Sequence, residues 1–296
     1  MQLIFLGTSC AVPTKERNHA SFLLNYRDEG ILFDCGENIQ RQLKIAGIKP
    51  TKITRILISH LHGDHVFGLP GIIYTLGLCE YNQILKIYGP KGIKKFIDAM
   101  INSTTDDARI PIEVVEISEG KFYDGKWFKL EAKKLEHRCY TLGFSFVEKN
   151  RRRINTAFVK KIGIPDGPLL GKLQEGKSVT FKGKKIDADD ATTIVKGKKI
   201  SFIADTVVCK GAYDLAKDAD IVIAASTYTS KDEEKAKKHS HLTAEQAGLI
   251  ASKSNAKKLI LTHFSQRYKD IYELEQDARN VFDNSIAAKD FMKFDL

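Results

Sequence analysis

The chain has little of what organises small secreted or membrane-bound proteins. Only five cysteines occur in 296 residues (Cys10, Cys35, Cys79, Cys139 and Cys209), and no two form a C-x-x-C pair. Their odd number and wide spacing argue against a disulfide framework and a thiolate zinc cluster, leaving buried or idle thiols as the expectation. No stretch approaches the roughly 18–20 apolar residues that span a bilayer. The first residues, Met1 to Gly7, are apolar from the start and lack the basic lead-in of a signal peptide. They read as a buried strand, and the protein as cytoplasmic. Internal repeats and low-complexity tracts are absent as well.

What is present is a large soluble core and an uneven charge. Hydrophobic residues make up 43% of the chain, enough for a sizeable interior, and 28% are charged. Lys and Arg outnumber Asp and Glu by 47 to 37, a net charge of +10. Between Arg151 and Ile200 there are thirteen basic residues against five acidic ones, so one sixth of the chain holds most of the excess. A solvated basic face is one reading of such a run, a polyanionic partner the other. The same region carries Gly163, Pro165, Gly167, Pro168, Gly171, Gly176 and Gly183 with lysines between them. That density of breakers predicts an excursion away from the core, not a linker between two cores.

Short runs rich in Ile, Val, Leu and Phe read as strands, several buried on both faces. They are Leu3–Leu6, Ser21–Leu24, Ile31–Phe33, Arg55–Ile58, Ile84–Tyr88, Ile112–Ile117, Leu142–Val147, Lys199–Ile203, Ile221–Ala224 and Lys258–Leu261. Helical patterns cover Asn38–Ala46, Gly92–Met100 and Tyr272–Val281, and Thr243–Lys253 opens on a Thr243/Gln246 capping pattern. Strand meanders with interspersed helices predict an α/β sandwich, helices outside two packed sheets.

Directly after Arg55–Ile58 stands His60-Leu61-His62-Gly63-Asp64-His65, four potential metal ligands in six residues. Imidazole and carboxylate are the donors that suit Zn²⁺ when thiolates are absent, although manganese and iron also accept them. In an extended loop, alternation sends His60 and His62 to one side and turns Asp64 and His65 to another, with Gly63 allowing the sharp backbone. His137, Asp205 and His263 each follow a predicted strand, where loops leave a sheet edge. Two cations roughly 3.5–4 Å apart suit phosphodiester hydrolysis, because they generate a nucleophile and neutralise the attacked phosphate.

These motifs, in this order, resemble the metallo-β-lactamase superfamily. That resemblance implies His60, His62 and His137 on one zinc, Asp64, His65 and His263 on a second, and Asp205 bridging. Further segments are similar to the ribonuclease Z family: Phe5-Leu6-Gly7-Thr8-Ser9 with Pro13–Asn18, Leu32–Glu37 with Gln40–Leu43, Gly68-Leu69-Pro70-Gly71, and Thr262–Tyr268. The family implies an αββα metallo-β-lactamase sandwich over residues 1–296, with a protruding flexible arm inserted at about 150–198. Gly163 to Leu173 is similar to the arm's glycine-proline element, which implies RNA contacts at Lys160, Lys161, Gly163, Pro165, Gly167, Pro168, Gly171 and Lys172. It further implies precursor tRNA as substrate, cleaved 3′ of the discriminator base to a 3′-hydroxyl tRNA and a 5′-phosphate trailer. A homodimer in which one subunit grips while the other cuts belongs to the same implication. Asp64 and His241 are its catalytic residues, and Arg41 and the Ser265/Arg267 pair are placed for phosphate or dimer contacts.

One departure stands out. Where the family carries His-Glu-Ala-Thr, this chain reads Ala224-Ala225-Ser226-Thr227, so the glutamate that partners the histidine at His241 is alanine. Unassisted His241, a substitute acid (Asp34 or Glu37), or a protein that holds RNA without cutting it would each account for this. A small-molecule hydrolase of the same fold is the rival outside RNA chemistry. It would not need the basic arm.

Overall fold

The computed structural model describes residues 1–103 and 110–296. Two seven-stranded sheets face each other. The first runs Lys293–Asp295, Gln2–Gly7, Ser21–Tyr26, Glu29–Phe33, Ile53–Leu57, Leu85–Gly89, Ile112–Glu116. It is antiparallel as far as Glu29–Phe33 and parallel beyond it. The second runs Ser285–Ala287, Leu259–Thr262, Ile221–Ala225, Lys199–Ile203, Tyr140–Glu148, Phe128–Glu136, Gly120–Asp124. Its first four strands are parallel and the rest antiparallel.

Aromatic rings fill the space between the sheets. Phe22 stacks on Phe33 at 4.5 Å and meets Phe202 of the opposite sheet edge-on at 5.2 Å. Such offset and edge contacts add to the burial of each ring. A second apolar layer lies between the first sheet and the helices Ile39–Ile45, Leu69–Leu78 and Ile93–Asn102. Lys210–Ala216, Ala244–Lys253 and Tyr272–Arg279 back the second sheet. The expected αββα layering is therefore present, and strand positions agree with the sequence reading to within one or two residues. The capping box on Ala244–Lys253 is complete: Thr243 accepts from the Gln246 N–H and the Gln246 side chain from the Thr243 N–H.

The basic insertion leaves the second sheet between Tyr140–Glu148 and Lys199–Ile203. It is a folded unit with its own apolar cluster of Val159, Ile164, Leu173, Val179, Ile186, Ala188 and Ala191. Arg151–Ile154 pairs with Thr192–Val195 at its base. The glycines and prolines read as breakers are its punctuation. Asn155 caps the helix Thr156–Ile162, which ends at Gly163 with φ +75°. Gly167, at φ 149° and ψ −160°, adopts a conformation open only to glycine before Pro168 starts Pro168–Gln174.

Asp290 ties the C-terminal loop to the first strand's exit. Its carboxylate accepts from Thr8 Oγ1 at 2.8 Å, the Asn18 N–H at 2.8 Å and Gln42 Nε2 at 3.2 Å. Burial nevertheless pushes its carboxyl up to about 6. A raised folded-state value means stability that is full below the ordinary value near 4 and lost as pH rises through 6, roughly 3 kcal/mol at most. Urea denaturation across that window should therefore show stability falling with rising pH in the native chain, and a flatter profile in Asp290→Asn.

Candidate metal centre

Strand ends deliver the site. Ser59–His65 follows Ile53–Leu57, His137 follows Phe128–Glu136, Asp205 follows Lys199–Ile203 and His263 follows Leu259–Thr262. All lie at one edge of the sandwich, where the strand-to-loop turns open. The chain stays extended through His62 (φ −70°, ψ 149°), and Gly63–Val66 then makes one helical turn. His60 and His62 do share a side, with His60 Nε2 2.9 Å from His62 Nδ1. Asp64 and His65 are placed by the helical turn, not by the extended alternation the sequence suggested. Gly63 is not left-handed; a Cβ there would lie 2.4 Å from the exposed Phe67 ring. The tighter demand is at Gly68, where a Cβ would fall 2.1 Å from the Gly36 carbonyl oxygen.

Asp205 is the common neighbour. Its Oδ2 lies 3.7 Å from His60 Nε2, 3.6 Å from His65 Nε2, 3.9 Å from His137 Nε2 and 3.8 Å from His241 Nδ1. Its Oδ1 lies 3.2 Å from His263 Nδ1. Asp64 Oδ2 sits 3.5 Å from both His65 Nε2 and His263 Nε2 and accepts the Ala11 N–H at 2.8 Å. Donor atoms of His60, His62, His137 and Asp205 lie within 4.8 Å of one another, as do those of His65, Asp205 and His263. Asp205 belongs to both groups, as a bridging carboxylate must.

The donors fit cations. His65 Nε2, His137 Nε2, His263 Nε2 and Asp205 Oδ1 are buried and have no hydrogen-bond partner among the described residues. Polar atoms left so cost free energy that a cation among them recovers. The outer nitrogens are occupied in the way ligating imidazoles require. His137 Nδ1 donates to the Ser240 carbonyl at 2.8 Å, and His65 Nδ1 to Asp34 Oδ2 at 2.7 Å. His60 Nδ1 donates to Ser59 Oγ at 2.9 Å, whose own hydroxyl donates to Asp34 Oδ2 at 2.8 Å. Each relay leaves Nε2 free to face the centre.

Electrostatics agree. Burial raises the Asp205 carboxyl, but the imidazoles of His263, His241 and His65 outweigh it and hold it well below its ordinary value. His60 is driven well below its ordinary value by burial and by His65, so it stays neutral. Burial lowers His241 to about 4 against the opposing pull of Asp205.

Comparison with known proteins gives the family. Ribonuclease Z of Exiguobacterium sibiricum is 37% identical over 98% of this chain and 97% of its own. That of Nanoarchaeum equitans is 40% identical over 96% and 90%. The crystal structure of human tRNase Z, short form, matches with a TM-score of 0.74 at 30% identity, covering 100% of this chain and 99% of that one. The chain belongs to the ribonuclease Z family. Residues 1–162 also place it in the family described as Anti-Pycsar protein Apyc1, a match that spans His60 to His137 and stops before Asp205. The metallo-β-lactamase fold protein YhfI of Bacillus subtilis shares the fold at 16% identity, TM-score 0.71, over 99% and 98% of the two chains.

Against the ribonuclease Z pattern, the structure locates the remaining residues. Asp34 is not near His241 as a substitute acid: it is buried behind His65 and Ser59, and Glu37 is exposed on the surface. The chain after Ala225 runs beside His241–Thr243, with the Thr227 N–H donating to the Leu242 carbonyl at 3.2 Å. Arg267 donates to Ser265 Oγ at 3.2 Å and lies over the Tyr228 ring. Arg41 is exposed on the helix Ile39–Ile45, and Lys160, Lys161, Pro165 and Lys172 are exposed on the arm. Two thiols set aside by their spacing lie at the centre. Cys139 Sγ is 3.7 Å from His62 Nε2, and Cys10 groups with Asp64 and His263. Chain spacing carries no signal for either.

Asp34→Ala should weaken metal binding by about 10- to 100-fold, the usual effect of losing a group that orients a ligand. Chelator competition on the full chain measures this. Unchanged affinity would remove Asp34 from the account of the centre.

Proposed function

We propose that this chain is a two-zinc endoribonuclease that hydrolyses precursor tRNA just 3′ of the discriminator base. The observation that carries the proposal is the convergence of His60, His62, Asp64, His65, His137, Asp205 and His263 at one edge of the two-sheet sandwich. On this reading residues 1–296 form one catalytic domain, with the arm at about 150–198 as its RNA-gripping insertion. These donors would hold two zinc ions, which would supply a nucleophile at neutral pH and neutralise charge on the scissile phosphate. Asp64, fixed by the Ala11 N–H, orients the attacking water. A P–O bond forms to that water as the P–O3′ bond breaks, and His241, neutral in the free protein and charged once the anionic phosphate lies beside it, donates a proton to the leaving O3′. The products are a 3′-hydroxyl tRNA and a 5′-phosphate trailer.

Ala225 weakens this last step. A carboxylate there would stand at the end of Ile221–Ala225, beside the segment that bears His241, and would hold its imidazole in one orientation. We predict that Ala225→Glu raises single-turnover cleavage of a 3′-extended tRNA by about 10²-fold, the lower end of what a positioned general acid contributes. RNA affinity should stay within about twofold. An unchanged rate would take the glutamate out of the mechanism. Tight metal-loaded binding with no chelator-sensitive cleavage at all would support a tRNA-binding protein instead.

The arm leaves its sheet after Glu148, at the end of Tyr140–Glu148 opposite to the metal centre. Nine residues at about 3.3 Å each put its root roughly 30 Å from that centre. This supports a homodimer in which one subunit's arm grips RNA that the other cuts.

A second reading has one observation in its favour. The Apyc1 match covers the first five metal-ligand candidates and ends at residue 162, inside the arm. A phosphodiesterase acting on small substrates would need the centre and not the lysines. Charge reversal of Lys160, Lys161 and Lys172 together separates the two. For the tRNA reading, the slope of log affinity against log salt should fall by about three, and processing of precursor tRNA should weaken. Hydrolysis of a small aryl phosphodiester should stay unchanged. Undiminished tRNA processing would favour the small-substrate reading.

A further inference from the structure

Cys10 lies in the loop between Gln2–Gly7 and Ser21–Tyr26. The loop is fastened on three sides. The Cys10 N–H donates to the carbonyl of Phe264, the residue after His263, at 2.9 Å. The Ala11 N–H donates to Asp64 Oδ2 at 2.8 Å, and the Ala11 carbonyl lies 3.2 Å from His19 Nε2. This fastening holds the Cys10 Sγ, an Asp64 carboxylate oxygen and a His263 ring nitrogen within 4.8 Å of one another. An independent observation points to a ligand in the same space. His263 Nε2 is buried without a hydrogen-bond partner among the described residues, on a side chain only 2% exposed, and faces Asp64 Oδ2 at 3.5 Å.

We propose that Cys10 is a sulfur ligand of the cation held by Asp64 and His263. The proposal rests on the two-cation reading above and adds a donor to its second position. On ligation the thiol gives its proton to solvent and the thiolate binds the metal, with a Zn–S bond of about 2.3 Å. A thiolate makes this position softer than the imidazole-rich position of His60, His62 and His137. It therefore favours zinc and cobalt over manganese and magnesium, which prefer carboxylate and water. The two positions of one centre would then differ in metal preference through a single loop residue.

Cobalt loading of the full chain tests this, with Cys139 as the built-in control because its sulfur lies near His62 at the other position. At saturation we expect two cobalt ions per chain and a thiolate-to-cobalt charge-transfer band in the near ultraviolet. Cys10→Ser should abolish the band and weaken binding of one ion by about tenfold or more, while Cys139→Ser should keep the band. Two bound ions without the band, or a band lost only in Cys139→Ser, overturns the Cys10 assignment and leaves the two-cation reading standing. Fewer than two ions at saturation overturns both.

Discussion

The buried carboxylate of Asp34 is the constraint from which the rest of the centre follows. It accepts from the Ser59 N–H, the Ser59 hydroxyl and His65 Nδ1, all within 2.8 Å. Through Ser59 it also fixes which nitrogen of His60 carries the proton. One carboxylate thus decides the tautomer of two imidazoles and turns both Nε2 atoms toward Asp205. Asp34 sits at φ +53°, a conformation that costs a non-glycine residue free energy unless its surroundings hold it. Those surroundings are the hydrogen bonds just named and the close approach of Gly36 to Gly68. Backbone strain, glycine packing and ligand orientation are here one device.

Asp205 is the complementary constraint. A carboxylate that is nearly wholly buried needs compensating charge, and five imidazoles around it supply only part of that while disfavouring one another's protonation. The centre is therefore a set of mutually dependent groups, several of them without a hydrogen-bond partner among the described residues. Cations resolve the conflict in a way that protons cannot, because one divalent ion satisfies three or four donors at once. The same logic explains why the donors come from separate strands of both sheets. No single loop can surround a carboxylate, but strand ends gathered at one edge of a sandwich can.

Much of this was legible in the sequence. A cluster such as His60–His65 has no packing explanation, and apolar runs ahead of Asp205 and His263 marked them as strand-end residues. Other features were not legible, for physical reasons. Cys10 and Cys139 approach the centre through the fold, and spacing along the chain carries no trace of that approach. Asp34 looked like a spare acid because its role depends on a register between neighbouring parallel strands. Glycines and prolines of the arm announced interruption, yet Gly163, Gly167 and Pro168 end or start helices around a small apolar core of its own. The helix Leu69–Leu78 also escaped, since its Leu, Ile and Gly content shows no polar face to set a period.

The placement of the arm bears on what alanine at 225 means. Its root and the metal centre lie at opposite ends of the same strands, and residues so far apart with no shared partners contribute independently to free energy. A substitution at Ala225 is therefore felt at the metal-centre end of the strands and not at the arm's lysines, and the fold tolerates alanine there because it closes a strand end without leaving an unpaired buried charge. On the proposed reading, binding and cutting are therefore separable by construction. On the same reading, a chain with all seven metal-ligand candidates in place and alanine at 225 is a coherent protein, altered at one step of its chemistry and not in its framework.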